Sequence, residues 1–226
     1  MRNYGKIGVQ VPRFLLPRQG LDLTKWAVIA CDQFTSQPAY WEQVEQFVGD
    51  APSTLKLIFP EVYLDEADAD LRIQRIHAEM NSYLRQGLLI SYEGMVYVER
   101  SIGDRTRSGL LVCLDLERYD YRPGSQSLIR ATEGTILERL PPRMNIRRGA
   151  PLELPHILVL IDDPQYTVIE PVAQLKPHLT PLYDFDLMFD GGHLAGWLVN
   201  EQSIEQQIVR ALETLTSPQV FAAKYG

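Results

Sequence analysis

Cysteine is scarce in this chain, with two in 226 residues. Cys31 and Cys113 lie far apart and each sits in an apolar run, so buried free thiols are expected rather than a disulfide. There is no CxxC, and no two of the four histidines stand at a ligand spacing, so no structural zinc site is expected. Long apolar runs are missing too. Nothing approaches the roughly 18 residues of a spanning helix, and Met1-Arg2-Asn3-Tyr4-Gly5 opens no secretion signal; a cytoplasmic protein without a membrane partner is expected. Basic residues are outnumbered, 22 Lys+Arg against 29 Asp+Glu, and the net charge of -7 disfavours general attraction to nucleic acid. Gly-Lys-Ser/Thr, the dinucleotide glycine spacing and the Gly-x-Ser-x-Gly elbow are all absent, which removes the P-loop, Rossmann and α/β-hydrolase readings.

What is present is a chain 45% hydrophobic, enough for a core, in which helical and strand-like patterns alternate without repeats or low-complexity tracts. Trp26 to Cys31 is short and apolar throughout, which predicts a strand covered on both faces and ended by Asp32-Gln33. Ser36 is placed to cap a helix with Pro38 in its first turn and a stripe of Tyr40, Trp41, Val44, Phe47 and Val48. Ala69, Ile73, Ile76, Met80, Tyr83 and Leu84 recur at three and four, predicting a helix from about Glu66 to Gln86, stopped by Gly87; Leu71 is also expected inside. Leu88 to Tyr92 and Met95 to Arg100 flank Glu93-Gly94, a plausible hairpin, with Leu110 to Leu116 as third strand of an antiparallel meander. Ile157 to Ile161 reads as a second buried strand ended by Asp162-Asp163-Pro164. A hairpin is expected at Asp190-Gly191-Gly192-His193, then a helix marked by Ile204, Ile208, Leu212 and Leu215, with a short one starting at Ser217-Pro218. The fold class is α/β, with α+β as the alternative: a mixed sheet, flanking helices and a meander. One domain, 1–226, is expected, with a lobe boundary near 121–127.

Chemistry concentrates between positions 128 and 150, where charge reverses sign. Arg130, Arg139, Arg143, Arg147 and Arg148 stand with only Glu133 and Glu138. Guanidinium forks suit phosphate or carboxylate, and the Thr132-Glu133-Gly134-Thr135 turn adds hydroxyls and backbone donors. The anion-binding set is therefore Arg130, Thr132, Gly134, Thr135, Arg139 and Arg143, with His156 nearby in sequence. The same arginines could equally form a solvated basic surface or pair with the protein's own carboxylates. Asp32, Asp162 and Asp163, at the ends of the two predicted strands, would converge if those strands were parallel neighbours; they are weak metal candidates, and Asp32 and Glu133 are the candidate catalytic bases. Aspartates that simply end strands and cap the next turn are the plainer reading. His77 reads as a boundary residue and His193 as a turn histidine.

Val28-Ile29-Ala30-Cys31-Asp32-Gln33-Phe34-Thr35-Ser36-Gln37-Pro38, then Ile129 to Arg143 with its Arg-Ala-Thr-Glu-Gly-Thr and Pro-Pro-Arg, then Glu153-Leu154-Pro155-His156-Ile157 to Pro164, together resemble the bacterial and archaeal domain-of-unknown-function family numbered ten-fifteen. The resemblance spans nearly the whole chain and carries no established activity. Similar members run longer, passing from a Lys-Tyr-Gly like Lys224-Tyr225-Gly226 into an Asp-Gly-Asn/His-His element similar to the nucleotide-phosphate element of the ParB, sulfiredoxin and serine-kinase group. The resemblance implies an amino-terminal part of that architecture, with Val220, Phe221 and Tyr225 exposed and prone to self-association.

Two functions stay open: a phosphate- or nucleotide-binding domain of an enzyme, whose partner is a phosphorylated small molecule, or a non-catalytic module whose arginines meet an acidic partner or the carboxy-terminal half. No cofactor is named. The helix reading is testable by itself. Ile76→Asp should cost several kcal/mol, on the order of an unpaired buried charge, and leave little soluble protein; normal expression with an unchanged melting temperature would reject the assignment.

Overall fold

A computed structural model describes residues 2–30, 34, 37–64, 66–120, 122, 124, 125, 127, 129–131, 137–154, 156–215 and 221–224. In chain order its elements are β1 (Asn3–Tyr4), β2 (Val9–Gln10), β3 (Arg13–Pro17), α1 (Leu23–Trp26), α2 (Pro38–Val48), α3 (Ala69–Arg85), β4 (Leu89–Glu93), β5 (Met95–Ile102), β6 (Arg105–Leu111) and β7 (Cys113–Leu114). Beyond these lie β8 (Ile129–Ala131), α4 (Leu140–Arg147), β9 (Leu158–Leu160), α5 (Glu170–Gln174), β10 (Thr180–Asp186), β11 (His193–Val199), α6 (Gln202–Thr214) and β12 (Phe221–Lys224). The mixed α/β class stands.

The main sheet has the order β10-β11-β5-β6 and every pairing in it is antiparallel. It is two hairpins laid side by side. Gly103, at φ +59°, takes the first of two turn positions between Ile102 and Arg105, a conformation that favours glycine. The second hairpin closes through 187–192, where the expected Gly191-Gly192 turn is tightly packed: a Cβ on Gly192 would meet the Ser101 carbonyl oxygen at 2.1 Å, and one on Gly191 the Ile29 side chain at 2.1 Å. The mixed sheet is a smaller one, β8-β12-β9, parallel between β8 and β12 and antiparallel between β12 and β9.

Three strand and turn expectations are corrected. Glu93-Gly94 is no hairpin turn, because β4 pairs with β3 while β5 enters the main sheet. Gly94, at φ +154°, lets the chain change sheets where a Cβ would lie 2.9 Å from the Val199 carbonyl oxygen. The predicted strand at 26–31 does not form: Asp22 caps the single turn α1, accepting from the Lys25 N–H, and the segment after it is satisfied by side chains. The Thr54 hydroxyl donates to the Trp26 carbonyl at 2.7 Å and accepts from the Val28 N–H, and Tyr40 donates to the Ile29 carbonyl at 2.6 Å. Those groups stand where a neighbouring strand would. Ile29 is buried, Val28 is half-buried and Ala30 is exposed. Finally, β9 is an edge strand with Ile157, Leu158 and Leu160 exposed, so the Ile157 to Ile161 run is not a doubly covered strand.

The helices follow their periodicity more closely. In α3 the face of Ile76, Met80 and Tyr83 is buried against Trp26, Leu57 and Leu88, whereas Leu71 and Leu84 turn out to solvent, which corrects their placement in the core. Gly87, at φ +61°, stops it. α2 starts at Pro38 and buries Trp41, Val44 and Val48; Ser36, its expected cap, lies outside the described residues, as do Ser217, Pro218, Val220 and Tyr225. Phe221 is described in its backbone alone, within β12. Cys113 is a half-buried free thiol whose pKa is pushed up by burial, and Cys31 lies outside the described residues.

The largest apolar cluster joins α6 (Ile204, Ile208, Val209, Leu212) to the sheet residues Met95, Tyr97 and Val199 and to Val9 and Val11 near the amino terminus. Glu205 is fully buried among them. Arg2 donates to both its oxygens at 2.7 and 2.6 Å, and the Tyr4 hydroxyl donates at 3.0 Å. The pair raises the pKa of Arg2, chiefly through this hydrogen bonding, while burial first and then Glu205 raise that of Tyr4. Truncating Arg2 strands a buried carboxylate, although Arg2 is itself 39% exposed, so water reaches part of the site. Arg2→Ala should therefore cost about 3 kcal/mol in urea unfolding at neutral pH, at the lower end for breaking a buried pair, and Arg2→Ala/Glu205→Leu should recover part of it. A loss below about 0.5 kcal/mol, the range of an ordinary surface pair, would show that the carboxylate is not held this way.

Candidate functional site

Between α2, α3 and the 3-10 turns Thr54–Leu57 and Glu61–Tyr63 lies a cleft of about 370 Å³. One face of α3 supplies Arg72, Arg75, Ile76 and Glu79, at the three- and four-residue spacings that bring helical side chains together. The first turn contributes Leu55 and Lys56, Phe59 and Tyr63 form an aromatic wall, and Glu45 enters from α2. Arg72 is pre-positioned: its Nη2 donates to Glu66 at 2.7 Å, its Nε to Asp68 at 3.1 Å, and its guanidinium lies 4.5 Å from the Tyr63 ring centre. Burial alone would lower the Arg72 pKa, but Asp68 and Glu66 outweigh it and raise it. Burial first, then Glu45, pushes Tyr63 up. Lys56 donates to the Asp50 carbonyl at 3.0 Å, and Arg75 is exposed with no carboxylate partner among the described residues.

The arginine segment meets this cleft at its rim. Arg143 donates from Nε, at 3.2 Å, and from Nη2 to the same Glu61 oxygen, and Glu61 opens the turn that ends in Tyr63. His77 of α3 lies 2.7 Å from the Ile146 carbonyl through Nε2, so α4 is fastened to the helix that lines the cleft. His77 is thus the half-buried boundary residue expected. Arg147 sits 3.5 Å from Glu153 in an exposed pair. For these two arginines, pairing with the protein's own carboxylates is what the geometry shows. The backbone of Arg130 and Arg139 is described but not their side chains; Thr132, Glu133, Gly134, Thr135 and Asp32 lie outside the described residues. His156 keeps substantial exposure, yet crowding dehydrates its ring and lowers its pKa against the pull of Glu153.

Asp163 is a capping residue. It accepts from the N–H groups of Thr167 and Val168 at 2.7 and 2.8 Å and from the Thr167 hydroxyl at 2.9 Å, a turn that occupies both oxygens. No strand covers residues 26–30, and Asp32, the third metal candidate with Asp162 and Asp163, lies outside the described residues. Among the described residues no group of His, Cys, Asp or Glu is placed to hold a metal ion.

Two polar groups tie the main sheet. On one, Lys176 donates to both Glu99 oxygens at 2.8 and 2.9 Å and lies 5.1 Å from the Trp197 ring centre, and the Tyr97 hydroxyl donates to Glu99 at 2.7 Å. Burial would raise the Glu99 pKa, but Lys176 and Tyr97 hold it below the usual range, while burial pushes Tyr97 up to about 12. On the other, His193 of β11 bridges two carboxylates of β10, with Nδ1 2.8 Å from Asp186 and Nε2 2.9 Å from Asp184. It is a strand clamp near the turn, and both groups read as structural.

This mixed α/β chain belongs to a family whose members are grouped by sequence. That family is DUF1015, described as a protein of unknown function, and its pattern matches residues 15–221. No curated protein and no solved structure matches the chain. Among the described residues no helix is long and apolar enough to cross a membrane.

The clamp has a defined pH signature. The hydrogen bond to Asp186, and then the field of both aspartates, raises the His193 pKa against a smaller opposing effect of burial. A raised folded pKa means that the contribution is complete at low pH, below the unfolded histidine value of about 6.5, and is lost as pH rises through the folded value. His193→Gln should thus lower the melting temperature more at about pH 6 than at about pH 9, and the His193 ring resonances should titrate above about 6.5. Equal effects at both pH values would refute the clamp.

Proposed function

We propose that this chain binds a phosphorylated small molecule or nucleotide, with the α3 cleft as the binding site. The observation that carries the reading is the convergence of Lys56, Arg72 and Arg75 on one cleft with an aromatic wall of Phe59 and Tyr63. The Arg75 fork and the Lys56 ammonium suit a phosphate, and Arg72, whose Nε and Nη2 are held by Asp68 and Glu66, offers its remaining Nη1 with little loss of freedom. Arg75 is the side chain free to close on the anion. Glu45 and Glu79 in the lining, with Glu66 and Asp68 on Arg72, outnumber the three cations, which favours a ligand that also presents hydroxyl or amino donors over bare phosphate. The arginine segment supports the site from outside through Arg143 and Glu61. A catalytic base is not assigned to any described residue, and Glu133 and Asp32 keep that role only as candidates of sequence.

Thermal-shift titration against ATP, ADP, CTP and inorganic phosphate tests this. A ligand at a hundredfold excess over its dissociation constant should stabilise the fold by about 2.7 kcal/mol. Arg75→Ala should remove most of the shift and Arg75→Lys restore only part, since a point charge lacks the bidentate fork. Arg143→Ala should weaken the shift more than Arg148→Ala. If none of the four ligands raises the melting temperature, or if Arg75→Ala leaves the shift intact, the cleft is not a phosphate site.

A further inference from the structure

We propose that the outward face of α4 docks an acidic amphipathic helix of a partner protein. A surface helix ordinarily turns its apolar stripe inward. In α4 the stripe points out: Leu137 in the turn before it, Leu140 and Met144 are 71, 37 and 54% exposed, at spacings of three and four, and no residue of the helix is buried. The side toward the protein is held by polar contacts instead, Arg143 on Glu61 and the Ile146 carbonyl beside His77. At 100° per residue, Arg147 and Arg148 fall on either side of the Leu140–Met144 line. Arg148 is exposed and has no carboxylate partner among the described residues, and Arg147 has only the exposed, long pair with Glu153.

An apolar seam bordered by two guanidinium groups fits leucine anchors bordered by Glu or Asp, the helix-on-helix mode of recognition. Charge also argues against a second copy in a twofold dimer, because α4 carries arginines and no carboxylate, so an isologous contact would set two positively charged helix faces together. Docking on α4 is independent of whether the cleft binds phosphate.

The probe is a fluorescein-labelled helical peptide of Leu, Ala and Glu with leucines at alternating three- and four-residue spacings, and its control carries Lys for every Glu. Anisotropy should show the Glu peptide binding and the Lys peptide not. Met144→Glu should weaken binding by about tenfold or more. Arg147→Glu/Arg148→Glu should transfer the preference to the Lys peptide, a rescue that a misfolded variant would not give, and Arg75→Ala should leave peptide binding unchanged. Equal binding of both peptides, no transfer of preference, or no effect of Met144→Glu would overturn the proposal. So would tighter binding to vesicles of phosphatidylglycerol and phosphatidylcholine than to the peptide, or nuclear Overhauser contacts placing the Met144 methyl against its own chain.

Discussion

The fold depends on how one buried carboxylate is neutralised. Glu205 sits inside the apolar face of α6, where an unpaired charge would be prohibitive, and the groups that answer it, Arg2 and Tyr4, come from the opposite end of the chain. Satisfying it draws the first strand onto the last long helix. That places Ile7, Val9 and Val11 over the sheet residues Met95, Tyr97 and Val199 and completes the largest core cluster. The carboxylate thereby selects one docking of β1 against α6 that apolar burial alone, being non-directional, would not specify.

From that closure the rest is positioned by degrees. The main sheet fixes the 187–192 turn, whose Met188 packs with Ile29, Val44 and Val48 and so sets α2. α2 and α3 enclose the cleft between them, and α4 is fastened to α3 by a carbonyl and to the cleft rim by one ion pair. Within the arginine-rich region, α4 has no buried residue and is held to the rest of the molecule through these polar contacts.

Legibility in the sequence tracked the range of the interaction. α3 and α6 could be read because the contacts that decide them repeat every three or four residues, and the Asp190 to His193 hairpin because glycine pairs have few other uses. Trp26 to Cys31 misled because a short apolar run reports burial without reporting which groups take its backbone hydrogen bonds; the answer, Thr54 and Tyr40, is not local. Glu93-Gly94 had turn chemistry but serves a change of sheets. At the site, the sign reversal at 130–148 was visible, whereas Glu61, the partner of Arg143, lies 82 positions away. The cleft residues were not legible although Arg72, Arg75 and Glu79 share a helical face, because a charged face beside an apolar stripe is what any solvated amphipathic helix shows.

The two hairpins of the main sheet differ in what their tips touch, and this bears on how the molecule can be rebuilt. Gly103 turns in open space, with no atom within 4 Å of where a side chain would begin, whereas Gly191 and Gly192 are wedged between Ile29 and the Ser101 backbone. The first tip is a natural place to splice in a reporter domain or to cut and rejoin the chain as a circular permutant, since neither backbone pairing nor core packing passes through it. The second is a keystone, and a graft there would prise α2 away from the sheet.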